Sequence, residues 1–132
     1  MRLLTHNMLK CNRKDVGSGY PLTIEPETVE IEAAEFDREM VISMLKKVDL
    51  NGLKVACACL DMSDGIDSIT DASIADLISG NNSALSDDVL ASAHRALFEV
   101  RVLAGQLVCP DSGRKFPIKD GIPNMLLHED EV

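Results

Sequence analysis

The chain has 132 residues, a formal charge of −9 and 45% hydrophobic residues, with three Phe, one Tyr and no Trp. This length and composition predict one domain with an aliphatic core, and the acidic balance argues against a protein that binds nucleic acid unaided. No apolar run approaches the roughly 20 residues that a membrane span needs, and the N-terminus lacks a secretory segment. We therefore expect a cytoplasmic and nuclear protein without a membrane partner.

The charge is divided unevenly along the chain. Between Val55 and His94 there are seven Asp and no Lys or Arg, whereas residues 1–24 and 99–127 together carry a net charge of +4. The simpler interpretation is an acidic solvated face in the middle of the chain. The alternative is that the basic ends lie beside an RNA that another protein holds.

The N-terminal half mixes strand and helix patterns. "MRLL" predicts a short strand, and "THNMLKC" predicts a helical turn capped by Thr5. In "LTIEP" and "TVEIEA" apolar and acidic residues alternate, which predicts half-buried strand. Helical spacing then follows in "FDREMVISMLKKVD" behind an Asp37 cap and in "LNGLKVACACL" behind an Asp49 cap.

The C-terminal half begins with a loop over 61–72 and a short helix, "ASIADLIS", before Ser86 caps the amphipathic helix "DDVLASAHRALFEV". "FEVRVLAGQLVC" predicts two short strands about a turn at Gly105. "RKFPIKDGIPNMLL" predicts a tight hairpin about Asp120-Gly121. Since proline cannot donate to a strand ladder, Pro117 and Pro123 place these strands at a sheet edge.

These elements predict an α+β fold in which a small antiparallel β lobe is built from both chain termini. We assign residues 1–34 and 99–127 to the β lobe, residues 35–98 to an inserted helical lobe, and residues 128–132 to an acidic tail.

Metal binding and catalysis find little support in the sequence. A structural zinc site needs four donors, usually from two Cys knuckles, but Cys109 is followed three residues later by Ser112 and Cys11 has no donor close behind it. Cys57 and Cys59 are two apart on a helix, which favours small core residues over a redox pair. With neither a paired nucleophile and base nor a phosphate-binding loop, we predict no enzyme.

An apolar stretch lies almost at the C-terminus, where chains are normally polar and frayed. Ile122, Met125, Leu126 and Leu127 are followed only by "HEDEV". Either the helical lobe covers them, or they form a docking surface beside an edge strand. The residues alone leave both interpretations open.

"MRLLTHNMLKC" at one end and "LVCPDSGRKFPIKDGIPNMLL" at the other resemble the multifunctional methyltransferase activator-subunit family, over essentially the whole length and loosely from about residue 55 to 85. The resemblance implies a zinc-ribbon-like β lobe and a non-catalytic chain that pairs an edge strand with class I methyltransferases as heterodimers. S-adenosylmethionine is then bound by the partner enzyme. The family's partners modify tRNA, small-subunit rRNA and a translation release factor, so RNA or release factor is met only through the partner.

The resemblance also assigns residues. Its partner-binding surface falls on Leu3, Thr5, His6, Asn7, Phe116, Pro117, Ile118, Ile122, Pro123, Asn124, Met125 and Leu126. Zinc-binding members carry cysteines at the positions of Cys11, Val16, Cys109 and Ser112. Because two of these four are not Cys here, the chain resembles a metal-free branch with a degenerate zinc site, and zinc is not expected. The alternative function is a stand-alone RNA-binding ribbon module, which the charge and the few aromatic residues disfavour.

Overall fold

The computed structural model describes residues 1–14, 16–127 and 129–131. Its helices are α1 (Leu3–Met8), α2 (Arg38–Leu45), α3 (Leu50–Cys59), α4 (Asp71–Ile78) and α5 (Asp87–His94). Its strands are β1 (Thr23–Ile31), β2 (Val100–Val108), β3 (Lys115–Lys119) and β4 (Ile122–Pro123). A π-helical turn (Arg95–Glu99) leads from α5 into β2, and a 3₁₀ turn covers Glu129–Glu131. Of the predicted acidic tail, His128 and Val132 lie outside the described residues.

The described strands form one antiparallel sheet in the order β1-β2-β3-β4. Strand β1 comes from the first quarter of the chain and pairs with β2 from the last, so the sheet joins the two chain ends. The predicted α+β class, with an antiparallel sheet from both ends and helices between them, is confirmed. Among the described residues the core is mainly aliphatic, and its fully buried side chains include those of Leu22, Leu45, Leu53, Leu90, Leu97, Leu107 and Phe116.

Three predicted helix starts are confirmed by their caps. The carboxylate of Asp37 accepts a hydrogen bond from the Met40 N–H at 3.2 Å, and that of Asp49 accepts one from the Gly52 N–H at 2.8 Å. The hydroxyl of Ser86 accepts one from the Val89 N–H at 3.3 Å. Each cap satisfies a first-turn N–H that has no partner within its own helix.

The predicted N-terminal strand is wrong. Only Met1 and Arg2 pair with β2, at Val102 and Arg101, and α1 begins at the next residue without a side-chain cap. Helical spacing explains the difference, because it places Leu3, His6 and Asn7 together on the buried face of α1. Thr5 is therefore an exposed residue within the helix, and its predicted capping role is also wrong.

The predicted turn at Gly105 is wrong as well, because β2 runs through it without a break. Gly105 has a φ of +140° and lies opposite Pro26, where the register of β1 and β2 shifts. A Cβ at this position would lie 2.4 Å from the Glu25 carbonyl oxygen. The glycine thus marks a β-bulge and a close approach of two backbones, which sequence alone cannot distinguish from a turn.

Strand β1 is buried less than its alternating pattern predicts. Ile24 is buried against α3, whereas Val29 and Ile31 remain 42% and 52% exposed. The half-buried interpretation therefore holds for the first part of β1 and is wrong for the second.

Within the described residues, no helix is long and apolar enough to cross a bilayer.

Candidate partner-docking site

The β3–β4 hairpin forms the edge of the sheet opposite β1. Asp120 and Gly121 have φ values of +52° and +76°, which confirms the predicted tight hairpin. Pro123 lies in the edge strand, as predicted. Pro117 lies in β3, and β4 pairs with β3 only at Ile118 and Lys119. At Pro117 the ladder has therefore already ended, and one bond from the Asn124 N–H to the Pro117 carbonyl, at 2.9 Å, continues the contact.

The residues after the hairpin alternate between two environments. Pro123, Met125 and Leu127, here called the inward row, are half-buried, and the last two pack against the core. Ile122, Asn124 and Leu126, the outward row, are exposed, with 69% of Ile122 and 79% of Leu126 accessible to solvent. The core interpretation of the apolar stretch therefore holds for the inward row, and the outward row is the part of the stretch that is open to a partner.

Arg114 fixes the backbone of this segment. Its guanidinium donates to the Leu126 carbonyl at 3.4 Å and to the Glu131 carboxylate at 2.8 Å, and it lies 5.0 Å from the centre of the Phe116 ring. Glu131 is buried, and its carboxylate also lies 3.7 Å from Nε of Arg13. Both chain ends thus supply a cation to one carboxylate, and Arg114 links that carboxylate to the backbone of the outward row.

The structure separates the predicted partner-binding residues into three groups. Those with exposed side chains are Thr5, Pro117, Ile122, Asn124 and Leu126. Those that are half-buried are Pro123 and Met125. Those that are buried are Leu3, His6, Asn7, Phe116 and Ile118. A partner can thus contact the side chains of the exposed group on this chain, whereas those of the buried group belong to the interior.

His6 and Asn7 have structural partners that the sequence did not reveal. The Asn7 side chain accepts from the Asp49 N–H and donates to the Asp49 carbonyl, both at 2.9 Å, which ties α1 to the start of α3. Nε2 of His6 donates to the Leu22 carbonyl at 2.7 Å. Partners 16 and 42 residues away leave no local signal in the sequence.

We expect His6 to make folding sensitive to mild acid. Its ring is fully buried, which lowers its pKa, although the bond to Leu22 opposes this shift. Below about pH 6.5, the usual pKa of His, the unfolded chain binds a proton that the folded chain refuses. The contribution of His6 to the free energy of unfolding should thus be fully present above that pH and should be lost as the pH drops toward the folded pKa. Urea titrations at neutral and mildly acidic pH would measure this loss.

A matched variant would test the assignment. His6→Gln keeps a donor near the Leu22 carbonyl but has no group that titrates in this range. Its free energy of unfolding should depend less steeply on pH than that of the wild type. Equal dependence in the two proteins would assign the pH effect to other groups.

Cys11 and Cys109 are neighbours in the structure, one from each chain end. Both thiols are buried, and burial raises the pKa of Cys11. Burial acts in the same sense on Cys109, but hydrogen bonds from Ser112, Asp111 and Cys11 prevail and lower its pKa. The Ser112 N–H donates to the Cys109 sulfur at 3.4 Å, and the Gly113 N–H donates to the Cys109 carbonyl at 3.0 Å. The turn of a metal knuckle is therefore retained without its second thiol.

The described residues offer too few donors for a zinc ion. Zinc takes four N, S or O donors, whereas the described residues contain no group of three or more His, Cys, Asp or Glu that could hold a metal. Hydrogen bonds hold the two turns together instead, from the Cys11 N–H to the Gly19 carbonyl at 2.8 Å and from the Gly19 N–H to the Asp111 carboxylate at 2.9 Å.

The fold and this site define a small binding subunit, an α+β chain whose sheet ends in an apolar row. The chain belongs to the Trm112p-like protein family, whose model matches residues 2–121, so the resemblance in the terminal motifs is confirmed. It is 41% identical to multifunctional methyltransferase subunit TRM112 homolog A of Arabidopsis thaliana, over 100% of both chains. It is 39% identical to the TRM112-like multifunctional methyltransferase subunit of Mus musculus, over 100% of this chain and 98% of the relative.

One solved structure supports the fold. It is an E. cuniculi Mtq2–Trm112 complex, described as responsible for methylation of the eRF1 translation termination factor. The match covers 96% of this chain and 95% of that chain, with a TM-score of 0.55 and 22% sequence identity.

Proposed function

We propose that this chain is a non-catalytic subunit that binds and activates class I methyltransferases as a heterodimer. The proposal rests on the outward row, which presents two large apolar side chains at the edge of the sheet. Family membership supports it, because the curated relatives are named multifunctional methyltransferase subunits. The chain is not itself an enzyme.

Docking at this edge would act in two ways. Main-chain groups beside β4 would pair with a strand of the enzyme, and the outward row would cover apolar surface beside that strand. A subunit that binds only the folded enzyme raises the population of that state by mass action. The methyltransferase supplies S-adenosylmethionine and the catalytic groups.

The substrates of this chain's partners follow from the family. We propose enzymes that methylate tRNA, small-subunit rRNA and a translation release factor, in the cytoplasm and the nucleus. The E. cuniculi complex supports the last of these, since it is responsible for the methylation of the eRF1 translation termination factor. RNA and release factor would then meet this chain only within the complex.

A stand-alone RNA-binding role is less well supported by the electrostatics of the basic ends. Arg13 and Arg114 pair with Glu131, Arg101 pairs with Glu32, and Lys115 lies 3.9 Å from Glu25. Half of the eight basic residues in residues 1–24 and 99–127 are thus engaged within the protein. Phosphate contacts require clustered cations that remain available to the nucleic acid.

Reconstitution with a candidate enzyme tests the proposal. Class I methyltransferases captured with the tagged chain from its own cells would be purified alone and after co-expression with it. We expect complexes of one to one stoichiometry, with higher thermal stability and higher methyl transfer than the enzymes alone. A monomeric chain that changes neither property would contradict the proposal.

We further propose that the turns carrying Cys11 and Cys109 are held together without a bound zinc ion. Metal analysis of the purified chain by mass spectrometry should find well below one zinc per chain, because two thiols are too few. The double variant Val16→Cys/Ser112→Cys restores four sulfur donors and should bind about one zinc. The single variant Val16→Cys is its control. Stoichiometric zinc in the wild type would refute the proposal.

A further inference from the structure

The second half of β1 and the segment that follows it form an unpaired surface at the sheet edge opposite the docking site. Four of the eight large apolar side chains described as exposed lie here, namely Val29, Ile31, Phe36 and Met40, each between 42% and 52% accessible. Because the sheet order places β1 and β4 at opposite edges, this surface is separate from the outward row.

The backbone of this edge is available for strand pairing. The Glu32 N–H donates to the Glu99 carbonyl on the β2 side at 2.8 Å. Since backbone groups alternate along a strand, those of Glu30 also face β2, whereas those of Val29 and Ile31 point away from it. In the first half of β1 a sulfur already occupies that side, because the Ile24 N–H donates to Cys59 at 3.4 Å. The free edge is therefore confined to the second half.

The charge around this edge is predominantly negative. Residues 25–39 contain seven carboxylates and one Arg, a net charge of −6. Within the described part of the chain, Glu25 and Glu32 have cations nearby, but no cation lies within ion-pair distance of Glu27 or Glu30. Exposed carboxylates beside unpaired backbone repel acidic segments and attract basic ones.

A small cavity adjoins the edge. It has a volume of about 140 Å³ and is lined by the side chains of Met40, His94 and Phe98 together with Ala34. The Phe36 ring packs edge-on against His94, with ring centres 5.3 Å apart. The cavity is large enough for one aliphatic side chain, and it is also lined by two carboxylates, Glu35 and Asp37, and by one cation, Arg2.

From these features we infer a second interaction surface that takes an extended segment of a partner protein in which basic and apolar residues alternate. The segment adds a strand beside Val29–Ile31, its cations face Glu27 and Glu30, and one apolar side chain enters the cavity. The charge identifies the occupant, because an acidic or nucleic-acid partner would be repelled and a second copy would bring its own −6. The inference goes beyond methyltransferase binding and does not depend on it.

A labelled peptide of alternating Lys and Val tests the inference by fluorescence anisotropy with the full chain at about 0.1 M salt, where long-range attraction is largely screened. We expect saturable binding, and none by the matched Glu and Val peptide. Glu27→Gln/Glu30→Gln should weaken binding at least tenfold. The control Asp64→Asn/Asp76→Asn removes two charges elsewhere and should change it less than twofold.

Two further comparisons separate strand addition from charge attraction alone. N-methylation of alternate peptide bonds removes the donors that would face β1 and should weaken binding at least tenfold. Val29→Thr/Ile31→Thr keeps strand propensity and should also weaken it, and circular dichroism would verify its fold. Equal losses in both charge variants, or no effect of N-methylation, would overturn the inference. The inference would also be overturned if the free chain forms a dimer in sedimentation experiments and Val29→Thr/Ile31→Thr dissociates that dimer.

Discussion

Replacing both Ile122 and Leu126 with Glu is expected to abolish methyltransferase binding and leave the chain folded. Burial of a large aliphatic side chain contributes roughly 1.5–3 kcal/mol, so two such losses weaken a complex by about 100-fold or more. Because these side chains are 69% and 79% exposed, their replacement removes little from the core of the free chain. Co-purification with the enzyme and thermal melting of the free chain would measure the two effects.

The inward row supplies the matched control. Met125→Glu places a carboxylate in a half-buried position against the core and should lower the melting temperature of the free chain. The outward double variant should melt within a few degrees of the wild type. If it unfolds the chain, the outward row belongs to the core; if it melts normally and still binds the enzyme, the docking site lies elsewhere.

Phe116→Ala is expected to be the most destabilising single change among the predicted partner-binding residues. The ring is 1% exposed and sits in β3 beneath the Arg114 guanidinium. Truncating a buried Phe costs about 3–5 kcal/mol, from lost burial and from the cavity that remains. Urea unfolding of the isolated chain would measure this loss without any partner.

Phe116→Leu and Ile122→Ala serve as controls for that experiment. Leu refills part of the cavity and should recover part of the stability. Ile122→Ala removes an exposed side chain and should change the free energy of unfolding by less than about 1 kcal/mol. A small loss for Phe116→Ala would mean that the ring is available to a partner after all.

Much of the fold was predictable because its signals are local. Three helix caps and the Asp120-Gly121 hairpin depend on residues within one turn of each other. Errors arose where distant segments decide the structure. Arg2 bridges to Arg101, and Gly105 accommodates the backbone of Glu25, contacts that no local pattern can reveal.

The sequence predicted which residues make up the candidate site, but not which of them face the core and which face solvent. The sequence indicated that the apolar stretch is either core or docking surface. Only the backbone path after β4, fixed by the Arg114 contact to the Leu126 carbonyl, shows which residues turn inward. The family resemblance assigned His6 and Asn7 to the partner-binding surface, and their burial was not predictable because their hydrogen-bond partners lie far away in the sequence.

The alternation of the two rows makes the spacing of this segment as important as its composition. Inserting or deleting one residue between Ile122 and Leu127 would reverse the alternation for every later residue of the segment. Side chains of the inward row would then become exposed, and side chains of the outward row would turn toward the core. Substitutions in the outward row leave the inward contacts intact. The outward residues of the segment can therefore vary, whereas a change of length by a single residue would disrupt the inward contacts.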